Sequence, residues 1–128
     1  MKLHHVGCVC GSLENAARFY EDIVGLKKIK TSTLNKELAE QIFDISSECE
    51  MVTYGNENFN IEIFVVGAHV PKNIAGFGHF CLQVGDREEF LRNCESSGLT
   101  VKRVPKGDSV VTFVKDFDGN LIEIKGSQ

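Results

Sequence analysis

Asp116-Phe117-Asp118-Gly119-Asn120-Leu121-Ile122-Glu123-Ile124-Lys125 reads as a tight Asp-Gly or Gly-Asn turn feeding a strand. Alternation beyond the turn puts Leu121, Glu123 and Lys125 on one face and Ile122 and Ile124 on the other. A carboxylate between two branched apolar residues faces either water or a polar cavity.

The same choice recurs upstream. Asn60-Ile61-Glu62-Ile63-Phe64-Val65-Val66 follows the polar turn Tyr54-Gly55-Asn56-Glu57-Asn58 and repeats the Ile-Glu-Ile alternation. Two further stretches match each other, Leu3-His4-His5-Val6-Gly7-Cys8-Val9 and Phe77-Gly78-His79-Phe80-Cys81-Leu82-Gln83-Val84, both apolar strands bearing histidine. The chain thus reads as two copies of one unit, each opening with a His strand and closing with a Glu strand.

With 128 residues, 42% hydrophobic and 25% charged, the sequence suits one compact domain or two small units sharing a core. A net charge of -4, with no Lys or Arg block, argues against nucleic acid as partner. No apolar run is long enough to cross a membrane, and the start lacks the basic-then-apolar pattern of a secretory signal. The five cysteines cannot all pair within the chain, and no Cys-x-x-Cys occurs. The expectation is a cytoplasmic protein whose reduced cysteines pack strands and helix faces.

In chain order, the expected first strand is 3–9. Ser12 caps a helix carrying Ala16, Phe19, Tyr20 and Ile23, which Gly25 ends. A strand over 26–31, a helix or helical loop over 35–45, and strands over 49–54 and 59–66 complete the first module, 1–66. Residues 67–76 are the expected connection, containing His69, Pro71 and Lys72. The second module, 77–128, has a strand over 77–84, then a helix capped by Asp86 with Phe90, Leu91 and Cys94 inward and Gly98 as its stop. Strands over 99–104, 109–115 and 120–125 follow. The segment 35–47 has no counterpart in the second module, an insertion of small cost in closure entropy.

Parity sharpens the reading. His5, Gly7 and Val9 share one face of the first strand, and His79, Cys81 and Gln83 share one face of the fifth. Phe80, Leu82 and Val84, with Ile61, Ile63, Val65, Ile122 and Ile124, form the apolar faces that helices cover. If the two mixed faces curve toward one another, His5, Glu62, His79 and Glu123 meet. Two imidazoles and two carboxylates can hold a borderline divalent ion, which polarises a carbonyl while a carboxylate takes a proton from the adjacent carbon. The plain alternative is that all four are solvated surface groups.

His5-Val6-Gly7-Cys8-Val9 with Ser12-Leu13-Glu14 and Phe19-Tyr20…Gly25-Leu26, then Asn60 to Phe64, Gly78-His79-Phe80, and Asp116 to Glu123, occur in this order along almost the whole chain. In this the sequence resembles the vicinal oxygen chelate (glyoxalase/bleomycin-resistance/dioxygenase) superfamily, closest in pattern to its glyoxalase I-like and epimerase-like members. The resemblance implies an α+β fold, two βαβββ modules forming a cupped, mixed eight-stranded sheet. It implies a divalent metal (Zn, Ni, Co, Mn or Fe) held by His5, Glu62, His79 and Glu123, with Glu123 and Glu62 as catalytic proton carriers. The implied activity is lyase, isomerase or epimerase chemistry through an enediolate, on a small α-hydroxy carbonyl or thiol adduct, in a homodimer. Metal-free small-molecule sequestration of the bleomycin-resistance type and extradiol dioxygenation are the alternatives on this fold.

Val9 stands where typical bacterial glyoxalase I has an Arg that holds glutathione, and Phe117 replaces the usual Pro of the last turn. His4 and His69 read as surface groups, Phe80 as core, Phe64 as a cavity-lining candidate, and Gln83 as facing the cavity. Tyr54 reads as either a substrate hydroxyl or turn support. Cys81 reads as packing.

Overall fold

The computed structural model of the chain describes residues 3–67 and 78–127. Its backbone divides into two compact units, Met1–Val70 and Pro71–Gln128. Of the connection expected at 67–76, only Gly67 is among the described residues. His69, Pro71 and Lys72 lie outside them, as does Phe77, the first residue expected in the fifth strand.

The first unit runs β1 (Val6–Cys10), α1 (Leu13–Ala16, continuing as a π-helical stretch Ala17–Ile23), β2 (Lys27–Leu34), α2 (Lys36–Phe43), β3 (Cys49–Gly55) and β4 (Asn60–Val65). The second runs β5 (Phe80–Val84), α3 (Arg87–Ser96), β6 (Val101–Lys106), β7 (Ser109–Lys115) and β8 (Leu121–Gly126). Each unit builds a four-stranded mixed sheet, in the orders β1-β4-β3-β2 and β5-β8-β7-β6. The opening strand lies parallel to the closing one, and the remaining pairs are antiparallel. The expected repeat of strand, helix and three strands is therefore present twice. Its first copy carries α2 as the insertion.

Local chemistry places the helices. Ser12 Oγ accepts from the Asn15 amide at 3.1 Å, and Asp86 Oδ1 accepts from the Glu89 amide at 3.0 Å, each satisfying an otherwise orphaned N–H. In the π-helical stretch the Val24 amide reaches back five residues to the Phe19 carbonyl, at 2.9 Å. Gly25, at φ +81°, then turns the chain where a side chain would be strained. Asn35 caps α2 through the Leu38 amide, and Asp44 ends it at φ 55°.

Each sheet buries its apolar face. Cys8, Cys10, Val52, Tyr54, Ile61 and Ile63 are buried in the first unit, with Ala16, Phe19 and Tyr20 of the helix. Tyr20 stacks on Tyr54 at 6.1 Å between ring centroids, joining helix to sheet. In the second unit Leu82, Val114, Ile122 and Ile124 are buried with Leu91 and Cys94 of α3. Each fully buried Ile, Leu or Phe contributes about 1.5–3 kcal/mol. With these faces committed to packing, the Glu-bearing faces are left for other use.

Candidate metal centre

Both histidines precede the strands expected to contain them. β1 begins at Val6, opposite Ile61, and β5 at Phe80, opposite Ile122, so each histidine lies just outside the paired ladder. Gly7 pairs with Glu62 and Cys81 pairs with Glu123. In each unit the histidine stands two residues before the position opposite the glutamate. The geometry repeats accordingly. His5 Nε2 lies 3.2 Å from Glu62 Oε2, and His79 Nε2 lies 3.4 Å from Glu123 Oε2. The imidazoles are 40% and 42% exposed and the carboxylates 22% and 16%, so the histidines are the more open member of each pair.

Turns of one design deliver both glutamates. Asn56 Oδ1 accepts from the amides of Asn58 at 2.8 Å and Phe59 at 3.1 Å, ahead of β4. Ahead of β8, Asp116 Oδ1 accepts from the amides of Asp118 and Asn120, both at 2.9 Å. Asp116 Oδ2 takes the Asn120 side-chain amide at 2.7 Å. Asp116 is itself buried, and Gly119 holds φ +90°. These contacts supply what a proline at 117 would have supplied, a fixed approach to the strand.

The neighbours of the two pairs differ. His4 is exposed, as expected of a surface group, and its Nδ1 lies 2.9 Å from His5 Nδ1. Sequence parity had set the two apart, but they precede the ladder, where alternation no longer governs. Phe113, opposite Glu123 on β7, stands edge-on to His79 at 5.8 Å between centroids. Sequence reasoning gave Phe113 no role, although its register across from the Glu strand was the available signal. Lys125 Nζ lies 3.7 Å from Glu123 Oε1.

Phe64 occupies the Glu62 face, since a Cβ added at Gly7 would come within 3.4 Å of its ring. Tyr54 takes the opposite face, fully buried, with its hydroxyl 3.4 Å from Glu21 Oε2. A substrate-facing role for Tyr54 is thereby overturned in favour of packing. Burial, then the Glu21 carboxylate, pushes its hydroxyl up to about 12. Phe80 is half-buried and Gln83 exposed. Cys8, Cys10, Cys49 and Cys94 are buried, whereas Cys81 is exposed. Local desolvation, then the Glu123 carboxylate, raises the Cys81 thiol above its ordinary value against the opposing pull of Lys125.

Among the described residues no three His, Cys, Asp or Glu side chains gather closely enough to hold a metal ion. Each unit supplies a pair. Donors about 2.0–2.1 Å from one ion and adjacent on it are about 2.9 Å apart in an octahedron and about 3.4 Å apart in a tetrahedron. The N···O separations of 3.2 and 3.4 Å fit that range. Imidazole nitrogen with carboxylate oxygen also suits a borderline divalent ion. Each pair thus fits half of such a ligand shell.

The family profile described as "Glyoxalase/Bleomycin resistance protein/Dioxygenase superfamily" matches residues 2–124. Lactoylglutathione lyase of Salmonella typhimurium is 27% identical, over 97% of this chain and 91% of that protein. Lactoylglutathione lyase GLX1 of Arabidopsis thaliana is 28% identical over 94% of this chain, which spans only 42% of the plant protein. Among solved structures, a glyoxalase family protein from Bacillus cereus superposes with a TM-score of 0.73 at 19% identity, covering 98% of this chain and 93% of that one. A fosfomycin resistance protein, FosX, from Listeria monocytogenes superposes at 0.72 and 15% identity, covering 100% and 94%. With its doubled module and a profile match over almost its whole length, this chain belongs to the glyoxalase/bleomycin resistance protein/dioxygenase superfamily.

Proposed function

We propose that this protein is a divalent-metal-dependent lyase, isomerase or epimerase of the glyoxalase kind, with His5, Glu62, His79 and Glu123 as metal ligands. Its substrate is a small α-hydroxy carbonyl or thiol adduct, converted through an enediolate. The observation that carries this reading is the repeated pair, one imidazole nitrogen and one carboxylate oxygen at 3.2 Å in the first unit and 3.4 Å in the second.

A bound divalent ion supplies Lewis-acid polarisation of the substrate carbonyl, which acidifies the neighbouring C–H. The chain does the rest. Glu123 or Glu62 takes the proton from that carbon and returns it to the adjacent one, the step expected of a carboxylate within reach of the reacting carbon. His5 Nε2 and His79 Nε2 lie beside Glu62 Oε2 and Glu123 Oε2, placed to share an ion with them. The lactoylglutathione lyases are named for a glutathione adduct, which makes a hemithioacetal one candidate. Val9 brings no charge with which to hold glutathione. An odd count of five cysteines with no Cys-x-x-Cys supports a reducing, cytoplasmic setting, and the small size supports a homodimer.

Metal content of protein purified without added metal, compared with His79→Ala and Glu123→Ala, tests the proposal. Near-stoichiometric Zn, Ni, Co, Mn or Fe that disappears in both variants supports it. Folded wild type that takes up none of these ions sinks it in favour of a metal-free binding protein of the bleomycin-resistance type.

A further inference from the structure

In each unit one cross-strand row passes through the glutamate. In the first it runs Lys30, Thr53, Glu62 and Gly7, from β2 through β3 and β4 to β1. In the second it runs Lys102, Phe113, Glu123 and Cys81, from β6 through β7 and β8 to β5. Residues directly opposite each other across a ladder share a face, so Lys30 is on the Glu62 face and Lys102 on the Glu123 face. A lysine thus occupies the same register position in both modules, two strands from the glutamate.

Lys30 reaches this position through an irregularity. The register of β2 against β3 slips between Lys28 and Lys30, leaving Ile29 as an extra residue. Without that bulge, alternation from Lys28, opposite the buried Tyr54, would turn Lys30 toward the packed face; the bulge re-aims it. In β6 the neighbouring Arg103 faces the other way, donating to Glu95 at 3.1 Å and Glu88 at 3.3 Å on α3. Lys30 and Lys102 are exposed, and neither has an ionic partner among the described residues. Between Lys30 and Glu62, Thr53 is 7% exposed and keeps its Oγ1 buried without a hydrogen-bond partner. A buried hydroxyl without a protein partner is one that a water or a bound group can complete.

We propose that the substrate carries an anionic oxygen group, carboxylate or phosphate, read by Lys30 in the first module or Lys102 in the second. This rests on the His–Glu pairs being the reacting site. Strands two apart are separated by about 9–10 Å, and a lysine stem spans much of that distance. The anion therefore sits within one small molecule's length of the carboxylate that moves the proton. An exposed lysine in this place discriminates by charge and does not touch the reacting carbon.

Calorimetric titration of the full-length protein with hydroxyacetone, hydroxypyruvate and dihydroxyacetone phosphate tests the assignment, with and without bound divalent ion. Both anionic probes bind more tightly than uncharged hydroxyacetone, and added salt narrows the difference. Lys30→Gln or Lys102→Gln lowers the preference about three- to fivefold, the size of one exposed charge pair, and Lys36→Gln on α2 leaves it unchanged. Preference for hydroxypyruvate assigns the anion as a carboxylate, and preference for the phosphate assigns a phosphate. Equal binding of all three probes, or a preference untouched in both lysine variants, overturns the proposal. If the metal reading alone fails, the charge preference persists in chelator-treated protein.

Discussion

Phe113 stands edge-on to His79, with ring centroids 5.8 Å apart and planes at 78°, while also lying directly opposite Glu123. The matching position in the first unit is Thr53, opposite Glu62. His79 is therefore steadied by an aromatic ring and His5 by the imidazole of His4. Hydrogen-bonded supports of a ligand typically change metal affinity about 10–100-fold when lost. His4→Ala should weaken divalent-ion binding by about tenfold in competition with a chromogenic chelator, and Phe113→Leu by less, with the fold intact. Unchanged affinity in both would remove these neighbours from the site.

Glu62 and Glu123 share geometry, so their roles separate only by chemistry. Glu62→Gln and Glu123→Gln keep an oxygen donor but lose the basic carboxylate. One of the two should retain metal while losing about 10²–10⁴-fold in turnover, identifying the proton carrier. Solvent deuterium incorporation into product is the direct measurement.

Asp116 holds the last turn through three accepted hydrogen bonds while itself buried. Asp116→Ala strands those donors and should cost about 2–4 kcal/mol, read from the urea midpoint. Asn56→Ala removes two exposed contacts and should cost less. A neutral Asp116→Ala would show that β8 places Glu123 without its turn.

Alkaline pH should destabilise the protein. Burial, then the Glu21 carboxylate, raises the Tyr54 hydroxyl to about 12 from 10.0, and burial, then Glu95, raises the Cys94 thiol to about 11 from 9.0. The unfolded chain loses these protons first, so the native state binds more protons from about pH 9 to 12 and stability falls as pH rises. Tyr54→Phe should flatten the upper part of that decline in thermal melts. An unchanged profile would argue that the hydroxyl is not sealed beneath the sheet.

Thiol labelling separates the cysteines. Cys81, the exposed one of the five, should react first with a maleimide in the native protein, and Cys81→Ser should abolish that fast phase. The four buried thiols should label only on unfolding. Equal fast labelling at Cys94 would contradict its burial beside Leu91.

Much of the fold was legible because the residues that punctuate it act locally. Ser12, Asp86, Gly25 and Gly98 set helix ends through their own backbone geometry, and the Ile-Glu-Ile alternations set which face packs. The π-helical turn at Ala17–Ile23 was not legible, because the apolar spacing there suits an α-helix equally well. Tyr54 stayed open between a substrate role and turn support for a related reason. Its hydroxyl invited a functional role, but its register beside Ile61 decides that it packs.

The sequence by itself determined the doubled module and the identity of the His and Glu candidates, because alternation and turn chemistry are short-range properties. Tertiary structure alone decided that His5 meets Glu62 and His79 meets Glu123, that His4 backs one imidazole and Phe113 the other, and that a bulge turns Lys30 toward Glu62. Those facts depend on the register between strands distant in the chain. Register is set by the packing of whole faces, which no single stretch contains.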